Sequence, residues 1–267
     1  MIDPKSQGSS IKFPHSVTMI SWGLNEEKFV IPFFERAFGL MGGIINDFRV
    51  VFINDGSSDR TGDLAEEYAT KETRLKVFHN KKNINVALSC KRAILEVKSD
   101  YFFWQTVDWS YDLSNIKIFL DLLNHYDIVH GVRPYPERPL SHIPFIRSFF
   151  RIKTRSDNLV KAVISLSNYY LVRILYNVPF SDFQCVTFFP TNIVRELDLC
   201  ATTPFLSSEL LIKLYYKGYN FIEDPINFIP RKLGVSKGTK PLIIFRSFLD
   251  ILKRVFITLI YLFNHWK

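Results

Sequence analysis

Apolar and polar positions alternate along the first half of the chain in a repeating unit. Short β-rich runs at Ser16–Ser21, Phe48–Asn54, Leu75–His79 and Tyr101–Val107 are each followed by a helical pattern, at Phe29–Phe38, Thr61–Ala69, Val86–Val97 and Leu113–His125. Tyr126–Val132 closes the series. Strand then helix, four times over, predicts an α/β fold with a largely parallel sheet and helices on both faces. Such sheets bind ligands outside the carboxyl ends of their strands. From Arg133 the pattern changes to a Pro-, Arg- and Phe-rich stretch reaching Arg155, a long helical pattern to Tyr176, a turn over Asn177–Ser181 and mixed elements beyond.

The C-terminal pattern is different again. From Arg231 to Lys267 eight Lys/Arg face one acidic residue, Asp250, while Ile243, Ile244, Phe245, Phe248, Ile251, Leu252, Val255 and Phe256 recur at helical spacing. This is the signature of a basic amphipathic helix lying in a membrane interface. The alternative is a terminal helix packed on the domain with its charges solvated. The uncharged run Val255–Phe263 has nine residues, too few for a span, which needs roughly 20. The expected division is a flexible N-terminal arm over residues 1–15, one domain over 16–240, and the amphipathic helix over 241–267.

Composition sharpens the picture in three places. A chain of 267 residues that is 47% hydrophobic buries a sizeable core. The 25 Phe, 12 Tyr and 4 Trp exceed what a core alone usually needs, so some rings are expected against lipid, a partner or a ligand. A net charge of +8 favours an anionic partner: nucleic acid, phosphates or an acidic leaflet. No zinc-finger or RNA-recognition motif is present, which argues against nucleic acid. Three cysteines (Cys90, Cys185, Cys200) without metal-ligand spacing fit a thiol-reducing compartment. The polar Met1–Ser10 segment has no apolar signal region, so a cytoplasmic location is expected.

The chemistry-bearing residues cluster at predicted strand ends. The first strand runs into Trp22-Gly23-Leu24-Asn25-Glu26-Glu27, and the second into Asn54-Asp55-Gly56-Ser57-Ser58-Asp59. A carboxylate there accepts from a base N–H or a ribose hydroxyl, and Gly-Ser-Ser-Asp makes a tight turn that caps the next helix. Asp-Gly-Ser is also common turn chemistry, so taken alone the run is ambiguous. Together these residues resemble the family 2 glycosyltransferases of the GT-A fold, whose first strand ends in Pro-x-Tyr-Asn-Glu and whose second ends in Asp-Asp-Gly-Ser-x-Asp. Asn25, Glu26, Asp55, Gly56, Ser57 and Asp59 match, whereas Trp22, Leu24 and Asn54 depart from the pattern. The resemblance implies a nucleotide-sugar donor held by Asn25, Glu26, Asp55, Ser57 and Asn83. Asn83 opens a loop loosely similar to the family's Asn-x-Gly-Lys-x-x-Ala, with Asn85 and Val86 in place of Gly and Lys.

The family's Asp-x-Asp corresponds to Asp108-Trp109-Ser110, with Ser110 replacing the second Asp. The resemblance implies a divalent cation, Mg²⁺ or Mn²⁺, held by Asp108 together with Asp112. Alternatively, Asp112 caps the helix that starts at Leu113. Gly131-Val132-Arg133, Lys161 and Ser165 one helical turn apart, Asp182-Phe183-Gln184-Cys185, the Glu209-Leu210 helix, Glu223-Asp224-Pro225-Ile226 and Arg231-x-x-Gly234-x-Ser236-Lys237 follow in order. This ordered set resembles the dolichol-phosphate mannose synthases and related polyprenyl-phosphate glycosyltransferases, over about Ser16 to Arg254.

That resemblance implies inverting transfer of a sugar to a polyprenyl-phosphate or lipid-linked acceptor by an enzyme peripherally attached to the cytoplasmic membrane face. Arg133, Lys161 and Ser165 would meet the acceptor phosphate. Arg231 and Lys237 would clamp the donor diphosphate. Asp182 would act as a base or orient the acceptor, or else serve as a turn residue capping local N–H groups. The catalytic set is then Asp182, Asp108 and Arg231. A hydroxyl acceptor on a growing surface polysaccharide, or a silent sugar-nucleotide-binding partner, are the competing readings.

Overall fold

The computed structural model describes residues 12–133, 159–229 and 246–252, with side chains from residue 167 onward in the helix that begins at Leu159. In chain order the elements are β1 (Val17–Gly23), α1 (Glu27–Met41), β2 (Phe48–Asn54), α2 (Thr61–Ala69), β3 (Leu75–His79), α3 (Val86–Glu96), β4 (Tyr101–Trp104) and α4 (Ile116–Leu122). They continue with β5 (Ile128–Val132), α5 (Leu159–Leu175), β6 (Thr187–Pro190), α6 (Thr191–Arg195), α7 (Leu206–Tyr216) and β7 (Phe221–Pro225).

The strand–helix alternation is as the sequence predicts, and β2, α2 and β3 fall on the predicted bounds. β4 stops three residues short of Val107 because Gln105 turns the chain: its Oε1 accepts from Thr106 N (3.0 Å) and its Nε2 donates to Tyr111 O (2.8 Å). α4 starts late because Asp112 Oδ1 takes the Ser114 N–H (3.1 Å) in a local turn.

The seven strands form one sheet in the order β3-β2-β1-β4-β6-β5-β7. β3, β2, β1 and β4 are mutually parallel, β6 runs antiparallel between β4 and β5, and β7 is parallel to β5. A plain series would have set β5 beside β4; β6, which the sequence reading left among mixed elements, takes that place. After β1 the chain moves outward through β2 and β3, then returns to the other side of β1 as β4. That reversal marks the crevice where open α/β sheets bind ligands.

Alternate residues of each strand feed two cores. Val50 and Phe52 of β2, with Phe103 and Phe188, pack against Phe33, Phe34 and Phe38 of α1 and Phe119 of α4. Val51 and Ile53, with Phe102 and Phe189, pack against Cys90 and Ala93 of α3 and Leu210 and Leu214 of α7. Phe103 and Phe188 stack across the β4–β6 pair at 4.4 Å. Phenylalanine supplies nine of the twelve largest fully buried side chains among the described residues, so much of the Phe excess is core, each ring contributing about 1.5–3 kcal/mol of burial.

Residues 246–252 are helical and docked. Asp250 Oδ2 accepts from Thr202 N (3.0 Å) and Thr203 Oγ1 (2.8 Å), Tyr176 Oη donates to Ile251 O (2.9 Å), and Ile251 is buried. Phe248 and Leu252, one turn apart, stay exposed at 43% and 39%. The rest of the 241–267 helix, the Val255–Phe263 run and residues 1–11 lie outside the described residues. Among those described, no helix is long and apolar enough to cross a membrane.

Candidate active site

The carboxyl ends of β1, β2 and β3 carry three loops that are bolted together. Asn25, at φ 52, donates its N–H to Ser57 Oγ (3.0 Å) and accepts at Oδ1 from Ser58 N (2.9 Å). Glu26 N donates to Thr61 Oγ1 (2.8 Å), and Glu27 N to Asp59 Oδ2 (3.2 Å). Burial raises the Asp59 carboxyl's pKa, but hydrogen bonds from the Thr61 hydroxyl and amide and from the Glu27 N–H outweigh it and hold the group below its usual range. Asn25 thus joins the β1 and β2 loops.

Asp55 ties the second loop to the third. Its Oδ1 accepts from Asn80 Nδ2 (2.8 Å) and Ile84 N (3.0 Å), while Oδ2 takes no hydrogen bond among the described residues. Asn80 Nδ2 also donates to Ser89 Oγ (2.9 Å), and Asn80 Oδ1 accepts from Arg92 Nη1 (2.6 Å). Gly56 is required here: it sits at φ +75, and a Cβ would stand 2.5 Å from the Lys82 carbonyl carbon and 2.6 Å from Asn83 N. Asn83 Oδ1 accepts from Asn85 N (2.9 Å). Asn85 occupies the family's glycine position with φ 76 and ψ 163, a region that glycine favours. Its side chain offsets the strain by capping α3, Oδ1 accepting from Ala87 N (3.0 Å) and Leu88 N (3.3 Å). Asn54, in place of the family's first Asp, receives Ser57 N at Oδ1 (3.1 Å) and meets His79 Nδ1 at 3.0 Å.

Asp108 follows β4 on the other side of β1. Since β1 lies between β2 and β4 and neighbouring strands are about 4.8 Å apart, Asp55 and Asp108 extend from strands about 10 Å apart. Ser110, the replacement for the second Asp, donates its hydroxyl to Asp108 Oδ1 (2.8 Å). Trp109 between them is buried at φ 57, edge-on to Phe33, with the Arg36 guanidinium 4.6 Å from its ring centroid. Asp112 Oδ1 is engaged by Ser114 N in the turn before α4, while the helix itself starts at Ile116 after Asn115 and has no side-chain cap, so Asp112 does not cap a helix at Leu113. Among the described residues no three His, Cys, Asp or Glu groups converge as a metal cage. A hard cation that takes one carboxylate plus substrate phosphates needs no such cage, and Asp108 fits that lesser demand.

A second cluster lies where β4, β5, β6 and β7 meet. Arg133 pairs with Asp182 through Nε (2.7 Å to Oδ2) and Nη2 (2.9 Å to Oδ1). Asp182 Oδ1 also accepts from Phe183 N (2.7 Å) and Gln184 N (3.2 Å). Burial alone would raise the pKa of this carboxyl, yet the charge and hydrogen bonds of Arg133 hold it far below the carboxylate range. A carboxylate so held is a poor proton acceptor. The Arg133 side chain is 27% exposed and its Nη1 is unpaired among the described residues.

The 181–185 loop is fastened from several elements. Glu223 of β7 accepts from Ser181 N (2.6 Å), His130 of β5 meets Asp182 O (2.9 Å), and the Tyr111 hydroxyl donates to Gln184 O. Burial raises the Tyr111 phenol and the Cys185 thiol well above their ordinary ranges, so both are neutral. Lys161 and Ser165 lie on α5, one turn apart, with side chains outside the described set; Arg231 and Lys237 fall outside the described residues altogether. Sequence reasoning missed Asn80, Tyr111 and His130 as site-building residues. His130 had a readable sign, a lone imidazole in the apolar run Ile128–Val132.

The sheet order and the loops at its carboxyl edge define the GT-A class of nucleotide-sugar folds. The family model for glycosyl transferase family 2 matches residues 24–175, more than half of the chain, and the chain belongs to that family. Over 51 residues, 19% of this chain and 15% of the other, it is 37% identical to the uncharacterized glycosyltransferase EpsJ of Bacillus subtilis. Three solved structures share the fold at low identity. A mannosyltransferase from Pyrobaculum calidifontis, solved with GDP-Man and Mn²⁺, gives a TM-score of 0.59 at 14% identity, over 93% of this chain and 65% of that one. Glucosyl-3-phosphoglycerate synthase from Mycobacterium tuberculosis gives 0.60 at 12%, over 90% and 80%. S. aureus TarS with UDP-GlcNAc gives 0.50 at 13%, over 90% and 65%. The chain therefore spans under two thirds of the mannosyltransferase and a small fraction of EpsJ.

Proposed function

We propose that this chain is an inverting glycosyltransferase that moves a sugar from a nucleotide-diphosphate donor to the phosphate of a polyprenyl-phosphate or related lipid-linked acceptor at the cytoplasmic face of a membrane. Family membership and the joined β1, β2 and β3 loops support the donor half. Asp55 Oδ2 accepts an N–H of the base or a ribose hydroxyl, Ser57 and Asn83 line the same edge, and Glu26 lies beside them. Asp108, with the donor's own phosphates, would hold the divalent cation, whose chemistry is to offset charge on the departing diphosphate. Arg231 and Lys237 are assigned the same electrostatic task from the protein side.

The observation that carries the acceptor half is the Arg133–Asp182 pair. Asp182 fixes the guanidinium, and the Nη1 edge, unpaired among the described residues, is suited to a phosphate oxygen; Lys161 and Ser165 are assigned to the same subsite. The acceptor oxygen attacks the anomeric carbon as the bond to the diphosphate breaks, and the electron pair leaves with the nucleotide. An ionised phosphate needs no deprotonation, so the poor basicity of Asp182 is no obstacle, whereas a sugar hydroxyl would require a base. Exposed Phe248 and Leu252 on the docked 246–252 segment support contact with the lipid surface.

The test is a transfer screen with a panel of nucleotide sugars, with and without Mn²⁺ and with and without polyprenyl phosphate. The proposal expects product only with polyprenyl phosphate, lost in Asp108→Ala. Transfer to glycan hydroxyls alone would replace it with the polysaccharide reading.

A further inference from the structure

His130 sits in the middle of β5, fully buried, directly across from Thr187 of β6 and Glu223 of β7. Its two nitrogens have different partners, and these fix the tautomer. Nε2 is 2.9 Å from Asp182 O, a carbonyl that only accepts, so Nε2 carries the hydrogen. Burial disfavours the imidazolium here despite the nearby Asp182 and Glu223 carboxylates, with Arg133 reinforcing the burial effect. The ring is therefore neutral, Nδ1 is an acceptor, and Thr187 Oγ1 donates to it at 2.6 Å. Thr187 Oγ1 lies farther, at 3.3 Å, from its other acceptor, Cys185 O. The hydrogen-bond order is thus Thr187 to His130 to the main chain of Asp182, whose side chain holds Arg133.

We infer that His130 and Thr187 form a positioning pair for the Asp182–Arg133 ion pair, holding the backbone of residue 182 so that the Nη1 edge of the guanidinium stays in one orientation toward the acceptor. The inference deepens the proposed function and rests on its reading of Arg133 as the acceptor-phosphate group. His130 touches no reacting atom; it acts through Asp182.

The experiment uses the full-length ¹⁵N-labelled protein. The Arg133 Nε–H resonance, assigned by its loss in Arg133→Lys, reports the ion pair without reference to activity. In His130→Leu and Thr187→Val its exchange with water is expected to rise about tenfold, the scale of one lost hydrogen bond. The KM for polyprenyl phosphate is expected to rise by about the same factor, with the donor KM unchanged. His130→Gln keeps a donor for Asp182 O and an acceptor for Thr187, and Thr187→Ser keeps the hydroxyl; both are expected to stay near wild type. If His130→Leu does not fold, the Thr187 pair of variants decides. Wild-type exchange in Thr187→Val and His130→Leu, or His130→Gln as damaging as His130→Leu, overturns the inference. Failure of the acceptor reading is separate: Arg133→Lys would leave the polyprenyl-phosphate KM unmoved while the exchange still responded to His130.

Discussion

Arg133 lays Nε and Nη2 along the two oxygens of Asp182, and the carboxylate is buried while the arginine side chain is part-buried. Removing only the arginine leaves a desolvated negative charge. Arg133→Met is expected to lower the unfolding free energy by about 3–5 kcal/mol, measured by urea denaturation. Adding Asp182→Leu to that variant is expected to recover part of the loss; full recovery is blocked because the Phe183 and Gln184 N–H groups also lose their acceptor.

His130 gives stability a pH dependence. It is neutral when folded, whereas the ordinary imidazole titrates near 6.5. As pH falls through that value the unfolded chain takes up a proton that the folded one refuses. Stability is then lost at up to about 1.4 kcal/mol per pH unit until the folded pKa is reached. Asp59 and Asp182, both depressed, add their own loss only below about pH 4, where unfolded carboxyls protonate first. Urea titrations from pH 8 to 3 on wild type and His130→Gln should differ in slope below pH 6.5, the wild type losing stability faster, until the folded imidazole itself takes up a proton.

Asn85 combines a glycine-like backbone with a helix cap. Asn85→Gly relieves strain of about 1–3 kcal/mol and forfeits a cap of similar worth, about 0.5–2 kcal/mol, so thermal melting should change little. Asn85→Ala keeps the strain and loses the cap, and is expected to be less stable than the glycine variant by at least about 1 kcal/mol.

The parallel half of the fold was legible because its strands are apolar runs ended by turn residues, as at Phe48–Asn54, and its helices bury one face, as α1 does with Phe33, Phe34, Ala37 and Phe38. β6 was not. Thr187–Pro190 is four residues long, and its antiparallel place between β4 and β5 comes from long-range pairing, Phe102 with Phe189 and His130 with Thr187. The donor edge was readable from Asp55-Gly56-Ser57 because turn chemistry is local. The fixing of Asp55 by Asn80, and of Asp182 by Arg133, joins residues 25 and 49 positions apart, which spacing along one chain does not reveal. Asp112 was ambiguous because a carboxylate before a helix suits a cap and a cation equally.

Asp55→Asn separates folding from nucleotide recognition. The new amide oxygen still receives Asn80 and Ile84 at the Oδ1 position, while the Oδ2 position becomes a donor. The variant should melt within a few degrees of wild type and bind UDP or GDP at least about tenfold more weakly, the scale of one lost hydrogen bond to a charged group. Calorimetric titration checks this.

The central claim, transfer to an ionised phosphate, is tested most directly by initial rates with one nucleotide-sugar donor and two acceptors that differ only in the phosphate: a polyprenyl phosphate and the corresponding polyprenol. The account predicts turnover with the phosphate alone, a rate steady across neutral pH, and an acceptor KM raised in Arg133→Lys. Equal turnover of the alcohol, or a rate rising with the ionisation of a protein base and indifferent to Arg133, would contradict it.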